Sequence, residues 1–323
     1  MEIVAKQKIK LVIGFITYGE LTAKYLPYFL SSLKNQTFKD FKIIAIDNSD
    51  LGKDENIKYI QTNYPEIELS FTGQNMGYAK TYNIMLNRAE KMGADYFLTI
   101  NPDMILEADS ISKLIEEVEK DQNLASVCPK ILKWDFANNQ KTKIIDSCGI
   151  VKKPGLLFFD LGQSQVDKNQ YDKASILGPS GAAGLYRMSA LNNIKEGDQI
   201  FEERFFMYKE DCDLALRLWL KGYKSKMIAN SIVFHDRTAA GLGENMTARI
   251  TSRRSKSHQI RIWSFINQQI IYYKFWGILN FQEKMILVKN QCLLLIYIVV
   301  FEPYLLLRLP ELAIVRRGAF FYK

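Results

Sequence analysis

Residues 96–103, Tyr96-Phe-Leu-Thr-Ile-Asn-Pro-Asp103, decide the fold. Five apolar or β-prone residues run without interruption and stop on a polar turn stiffened by Pro102. That is the pattern of a buried strand ending at a sheet edge. Upstream, residues 77–92 carry helical spacing; downstream, Asp109 is placed to cap a helix reaching Lys120. Working outward, residues 10–16 (KLVIGFI) form a buried first strand, and Leu21, Tyr25, Leu26, Phe29, Leu30 and Leu33 recur at helical spacing up to Gln36. Residues 41–46 (FKIIAI) make a second strand that ends on Asp47-Asn48-Ser49. A short helix over 54–63 then precedes a third strand near 67–71. Strands alternating with helices predict an α/β fold: a mostly parallel central sheet with helices on both faces. Ligands of such sheets bind beyond the carboxyl ends of the strands, where both polar clusters fall. From Ala125 to Gly178 the pattern loosens, with β-like pieces at 125–128 and 155–160. It reads as an irregular insertion covering the site.

Composition narrows the class. The 323 residues are 48% hydrophobic and 24% charged, ample for a sizeable core. Cys128, Cys148, Cys212 and Cys292 form no C-x-x-C pair, so neither a zinc knuckle nor a disulfide framework is indicated, and a reducing compartment fits. No long apolar run precedes Lys10, so no secretory signal is read there. The net charge of +8 is unevenly spread. Residues 245–323 hold 12 Lys/Arg against 3 Asp/Glu, whereas residues 1–244 hold 31 against 32. The excess points the last quarter of the chain toward an anionic partner.

Residues 205–217 (FFMYKEDCDLALR) place Glu210, Asp211 and Asp213 within four positions, among apolar neighbours. In a helix beginning there, Asp213 and Arg217 pair at i, i+4, and the other two carboxylates sit in the first turn, where the helix dipole favours them. A carboxylate so held suits a general base; the plain alternative is an acidic turn that only stabilises a helix. Asn75-Met-Gly77 is a turn into a helix, which can receive a phosphate or a nucleoside hydroxyl. Asp103 is a candidate ligand for a hard cation on a diphosphate leaving group, although an isolated Asp there is commonly only a turn former. His235 follows a short apolar strand, and with His258 the only other histidine a His-based metal cage is excluded. Gly178-Pro-Ser-Gly-Ala182 falls one glycine short of a hydrolase elbow and reads instead as backbone approaching a ligand closely.

Ile46-Asp-Asn-Ser49, Asn75 to Asn83 (NMGYAKTYN), Leu98 to Asp103 (LTINPD), Gly181 to Arg187 (GAAGLYR), residues 205–217 and Phe234-His235 occur in the order seen in family 2 glycosyltransferases. The chain resembles their rhamnosyltransferase-like branch over roughly residues 9–240. The resemblance implies an inverting enzyme of the GT-A fold. Its nucleotide-binding part would span about 9–105, its acceptor and catalytic part about 106–244, and a C-terminal region would occupy 245–323. It further implies that Thr17, Asp47 and Asn48 contact base and ribose. Asn75, Gly77 and Asn83, with Asn101 and Gly181, would shape the nucleotide-sugar pocket. Asp103 and His235 would hold Mg²⁺ or Mn²⁺, and Asp211, beside Glu210, would be the base. Two departures stand out: Thr17-Tyr18-Gly19 where the family has Tyr-Asn, and Asn101 at the first acidic position of its D-x-D pattern.

Residues 245–282 interleave six Lys/Arg with Trp263, Phe265, Tyr272, Tyr273, Phe275 and Trp276 and contain no acid. Nucleic acid and a membrane interface both attract such a segment. The ten-residue apolar run 292–301, too short to span a bilayer and interrupted by Glu302-Pro303, favours the membrane surface. A helix pair packed on the catalytic domain or on a second subunit is the alternative. The sequence thus predicts a nucleoside-diphosphate sugar donor, a glycan or polyprenyl-linked acceptor, and a cytoplasmic enzyme held peripherally at the inner face of the cell membrane by an α-helical extension. Nucleic acid is not favoured as a partner, and an oligomer is open. A nucleotidyltransferase, or a catalytically degenerate nucleotide-sugar-binding protein, is the competing reading. On the leading one, residues 284–323 are separable from the folded catalytic core.

Overall fold

A computed structural model of the chain describes residues 9–237 and 257–316. The expected elements appear close to their expected bounds: β1 Leu11–Thr17, β2 Phe41–Asp47, α3 Glu55–Asn63, β3 Glu68–Phe71, α4 Tyr78–Met92, β4 Tyr96–Ile100 and α5 Ser110–Lys120. The helix expected up to Gln36 is two, α1 Gly19–Ala23 and α2 Leu26–Lys34, because Pro27 suits only a first turn. Asp109 stands at the N-cap of α5 but makes no capping bond; it pairs with Lys113 at 2.7 Å.

The main sheet runs β3-β2-β1-β4-β10-β6-β11-β5, where β5 is Met104–Leu106, β6 Leu124–Asp135, β10 Ala183–Arg187 and β11 Lys224–His235. Pairings β3-β2, β2-β1, β1-β4 and β6-β11 are parallel, while β10 and β5 run antiparallel to their neighbours. Connections from β1 to β2 and from β3 to β4 leave β1 in opposite lateral directions. That switch point lies at the carboxyl ends of β1 and β4, the place such sheets reserve for ligands. One face is covered by α2, α3 and α5, through residues such as Phe29, Leu30, Ile60 and Ile111. The other is covered by α4, α6 (Met188–Asn193) and α7 (Glu210–Leu220), through Tyr82, Met85, Leu191 and Leu214.

The stretch read as an irregular insertion is corrected. Residues 125–128 belong to β6, a central strand of twelve residues, which also pairs with β7 Gln140–Ser147. Pro129 and two lysines disguise the run. Lys130 is buried nonetheless, because Asp167 and Asp172 neutralise it at 3.1 and 2.7 Å. Residues 150–160 form a separate hairpin, β8 Ile150–Lys153 and β9 Leu157–Asp160.

The C-terminal region is not loosely appended. Helix α8 His258–Lys274 packs Phe265, Ile266, Ile270 and Ile271 against Phe205, Cys212 and Leu216 of the segment holding Glu210 and Asp211. Helix α9 Phe281–Phe301 follows, then a 3₁₀ stretch Pro303–Arg308 and α10 Leu309–Arg316. Leu287, Ile298 and Leu305 are buried in the same cluster. Residues 284–308 thus bury side chains in the cluster they share with Phe205, Cys212 and Leu216. The ten-residue apolar run is the second half of a 21-residue helix opened by an Asn280–Glu283 capping box. Glu302-Pro303 ends it, as expected. The boundary at 244/245, the basic residues of 245–256 and Arg317 lie outside the described residues.

Beneath α7 the expected Asp213–Arg217 pair forms at 2.8 Å, fully buried, and Lys274 of α8 reaches the other Asp213 oxygen at 2.8 Å. Arg217 also donates to the carbonyls of Ile194 and Ile200. Asp213→Asn removes the anion between two buried cations, so a loss of about 3–5 kcal/mol in unfolding free energy is expected, read by urea denaturation. A loss below about 1 kcal/mol, the scale of an exposed pair, would contradict the burial of this network.

Candidate active site

At the end of β1 and β2, Thr17 Oγ1 donates to Asp47 Oδ2 at 2.6 Å, and Asn56 Nδ2 and the Ser49 amide add bonds of 3.0 and 2.9 Å to the same carboxylate. Asp47 is wholly buried, so these donors offset its desolvation. Asn48 turns the other way and donates to Thr81 Oγ1 at 2.8 Å, locking the strand end to α4. The three residues expected around base and ribose thus form one rigid corner.

Gly77 stands at the N-cap of α4 with φ +77°, a left-handed conformation suited to glycine. A Cβ there would lie 2.4 Å from the Phe206 carbonyl oxygen, which accepts the Tyr78 amide at 2.7 Å. Gly77 therefore lets the segment before Glu210 dock on α4. Asn83 is saturated: its Oδ1 accepts the Ile200 and Phe201 amides, and its Nδ2 donates to Phe201 O and Glu203 Oε1. It shapes the site by holding the 200–203 loop. Asn75 caps its own turn through the Gly77 amide at 2.9 Å.

Gly181 is the hub. Its amide donates to Asp211 Oδ2 at 2.8 Å, its carbonyl accepts the Tyr78 hydroxyl at 2.8 Å, and the next carbonyl, of Ala182, accepts the Asn101 amide at 2.9 Å. Residues 181–182 thereby join the Asp211 carboxylate, the start of α4 and the end of β4. The second Asp211 oxygen accepts the Cys212 amide at 2.7 Å, so both oxygens are oriented. Asp211 is half-buried; Glu210 beside it is buried, and burial first, then the Asp211 charge, holds its carboxyl well above the usual range. Tyr208 and Lys209, just before them, both have positive φ, +73° and +74°.

His235 lies at the carboxyl end of β11, with Nε2 3.1 Å from Asp103 Oδ1 and Nδ1 2.8 Å from Asp146 Oδ2. Burial alone depresses its pKa, but the two carboxylates override that and push it up to about 10. With Nδ1–H given to Asp146, Nε2 faces Asp103 Oδ1, which has no other hydrogen-bond partner among the described residues. Two acceptors this close need a positive species between them, a proton or a divalent cation. The donor set fits a cation held by two protein ligands and completed by diphosphate oxygens. Among the described residues there is no group of three or more His, Cys, Asp or Glu arranged to hold a metal. Asp146 went unanticipated, as did Arg237, which lies 2.8 Å from Asp160 and 3.6 Å from Asp146. The available signal was an acid closing the β7 run Ile144-Ile-Asp146.

An α/β sheet whose strand ends at the switch point carry the buried Asp47 corner, an acid facing a histidine and an oriented carboxylate defines the class: a nucleotide-sugar-using transferase of the GT-A type. The match to the model for glycosyl transferase family 2 spans residues 13–195, and the chain belongs to that family. It is 23% identical to the N-acetylglucosaminyl-diphospho-decaprenol L-rhamnosyltransferase of Mycobacterium tuberculosis over 264 residues, which cover 75% of this chain and 81% of the relative. It is 27% identical to the rhamnosyltransferase WbbL of Escherichia coli K12 over 215 residues, 62% of this chain and 74% of the relative. Among solved structures it is similar in fold to GalNAc-T7 crystallised with UDP, GalNAc and Mn²⁺, with a TM-score of 0.54 at 13% identity. That match covers 82% of this chain and spans half the length of the GalNAc-T7 chain.

Proposed function

We propose that the protein transfers rhamnose from a nucleoside-diphosphate donor to a hydroxyl of a lipid-linked glycan, with inversion, in the building of a cell-surface polysaccharide. The observation that carries this reading is the Asp211 carboxylate, fixed by the Gly181 and Cys212 amides beside the strand end that bears Asn101 and Asp103. Rhamnose is supported by the names of both relatives, and the lipid-linked acceptor by that of the Mycobacterium tuberculosis one.

Asp211 takes the proton from the acceptor hydroxyl as its oxygen attacks the anomeric carbon opposite the nucleotide. The bond to the diphosphate breaks in the same displacement, so configuration inverts without an enzyme-bound sugar. Glu210, kept protonated by burial, does not compete for that proton. Asp103 and His235 would hold Mg²⁺ or Mn²⁺, whose chemistry is to neutralise charge on the departing diphosphate. The Asp47 corner and Asn101 orient the donor. The direct test is release of nucleotide from deoxythymidine-diphosphate rhamnose with and without a short-chain polyprenyl-diphosphate N-acetylglucosamine. Release that ignores the acceptor would reject transfer to it.

Asp103→Ala is expected to remove the cation dependence of donor affinity. Calorimetric titration with and without Mn²⁺ reads it; an equal response to Mn²⁺ in variant and wild type would refute the role of Asp103.

The enzyme works at the inner face of the cell membrane, with α9 lying in the interface. By length and composition α9 suffices to cross a bilayer, with a mean hydropathy of 1.8 and 11% of its apolar window buried. Its two ends are nevertheless tied to the same body, Glu283 to Lys152 of β8 and Glu302 to Arg261 of α8. A helix pinned at both ends lies along the domain and offers its outer face to lipid.

A further inference from the structure

We infer that Asn267 of α8 is a positioning residue for the catalytic base. The C-terminal region thereby belongs to the active site as well as to the membrane-facing layer. This inference rests on the reading of Asp211 as the base.

Asn267 is buried, and its amide nitrogen donates to two consecutive carbonyls, Met207 O at 2.8 Å and Tyr208 O at 2.7 Å. Those carbonyls belong to the turn in which Tyr208 and Lys209 are both left-handed, immediately before Glu210 and Asp211. Non-glycine residues disfavour this conformation by about 1–2 kcal/mol each, so the turn needs outside support to persist. The preceding carbonyl, of Phe206, is taken by the Tyr78 amide at 2.7 Å. Three successive carbonyls are thus fixed, one by α4 from the nucleotide-binding half and two by α8. Around this clamp, Trp263 packs on Phe206 with ring centroids 4.8 Å apart, and Lys274 pairs with Asp213 at 2.8 Å. Helix α8 touches the turn before the base, the helix after it and the cluster that anchors α9. Of the α8 contacts named, the Asn267 bonds are those made to the peptides of the turn. Those peptides lead directly into Asp211.

The test compares Asn267→Leu and the near-isosteric Asn267→Asp, both lacking the two N–H donors, with Gln268→Ala. Gln268 lies on the same helix, and its amide goes to the Leu156 carbonyl, away from the base. Amide hydrogen exchange of peptides spanning 205–217 needs no substrate. It should quicken about tenfold or more in both Asn267 variants and stay at wild-type level in the control. With deoxythymidine-diphosphate rhamnose and the polyprenyl-diphosphate acceptor, kcat should fall about 10–100-fold, equal to about 1.4–2.7 kcal/mol at 1.36 per decade. Donor KM should stay within about threefold, the signature of a lost transition-state geometry. Unchanged exchange across 205–217 in both variants would overturn the proposal. So would a fall in kcat matched by Gln268→Ala, which would mark a general effect of loosening α8. A wild-type enzyme inactive on these substrates would reject the substrate assignment, and the exchange comparison would still decide the brace.

Discussion

Asp211→Asn is expected to reduce transfer by about 10²–10⁴-fold, the usual contribution of a positioned base, while leaving donor binding within about threefold of wild type. The substitution is nearly isosteric. Asn keeps one oxygen to accept the Gly181 or the Cys212 amide and gives up the other bond, a small loss beside the packing that holds the start of α7. What is lost is proton affinity: an amide cannot take a proton from an attacking hydroxyl. Glu210 offers no substitute, since it is buried, raised in pKa and, among the described residues, without a hydrogen-bond partner on Oε2. Steady-state transfer and calorimetric donor binding, measured on the same preparation, separate chemistry from folding. Near-normal turnover in Asp211→Asn, with Glu210→Gln inactive, would move the base to the neighbouring carboxylate.

How much of this was legible beforehand differs by kind of signal. The first half of the sheet could be read because β1, β2 and β4 are short continuous apolar runs closed by polar turns, and parallel buried strands must look that way. Strand β6 escaped because its lysine is neutralised by acids 37 and 42 positions away, pairings no local pattern contains. The site follows the same division. Asp103, Asp211 and His235 were candidates named from ordered motifs, whereas Asp146 and Asn267 bond across the fold, to His235 from β7 and to Tyr208 from α8. Gly77 was named as a pocket residue, and its missing Cβ also makes room for the Phe206 carbonyl, a contact no local pattern shows.

The C-terminal region repeats the lesson in its energetics, and the second large effect is expected there. Replacing Leu295, Ile296, Val299 and Val300 by glutamine should abolish vesicle binding without unfolding the protein. These side chains are 52–63% exposed, so their loss from the aqueous fold costs little, within about 0.5 kcal/mol each. In lipid each would bury most of an aliphatic side chain, about 1.5–3 kcal/mol, so four together change partitioning by more than about a thousandfold. Deleting residues 284–323 does not isolate this effect. It also removes Leu287, Ile298 and Leu305 from a shared core, each worth about 2–5 kcal/mol when emptied, and takes away the carboxylate that pairs with Arg261. Co-sedimentation with phosphatidylglycerol–phosphatidylcholine vesicles at low and high salt reads the outcome. Salt should weaken the part carried by basic residues and leave the apolar part. Wild-type protein that stays in the supernatant with anionic vesicles would exclude the lipid assignment. A tetra-glutamine variant that changes from dimer to monomer on sizing would instead make the outer face of α9 a contact between subunits.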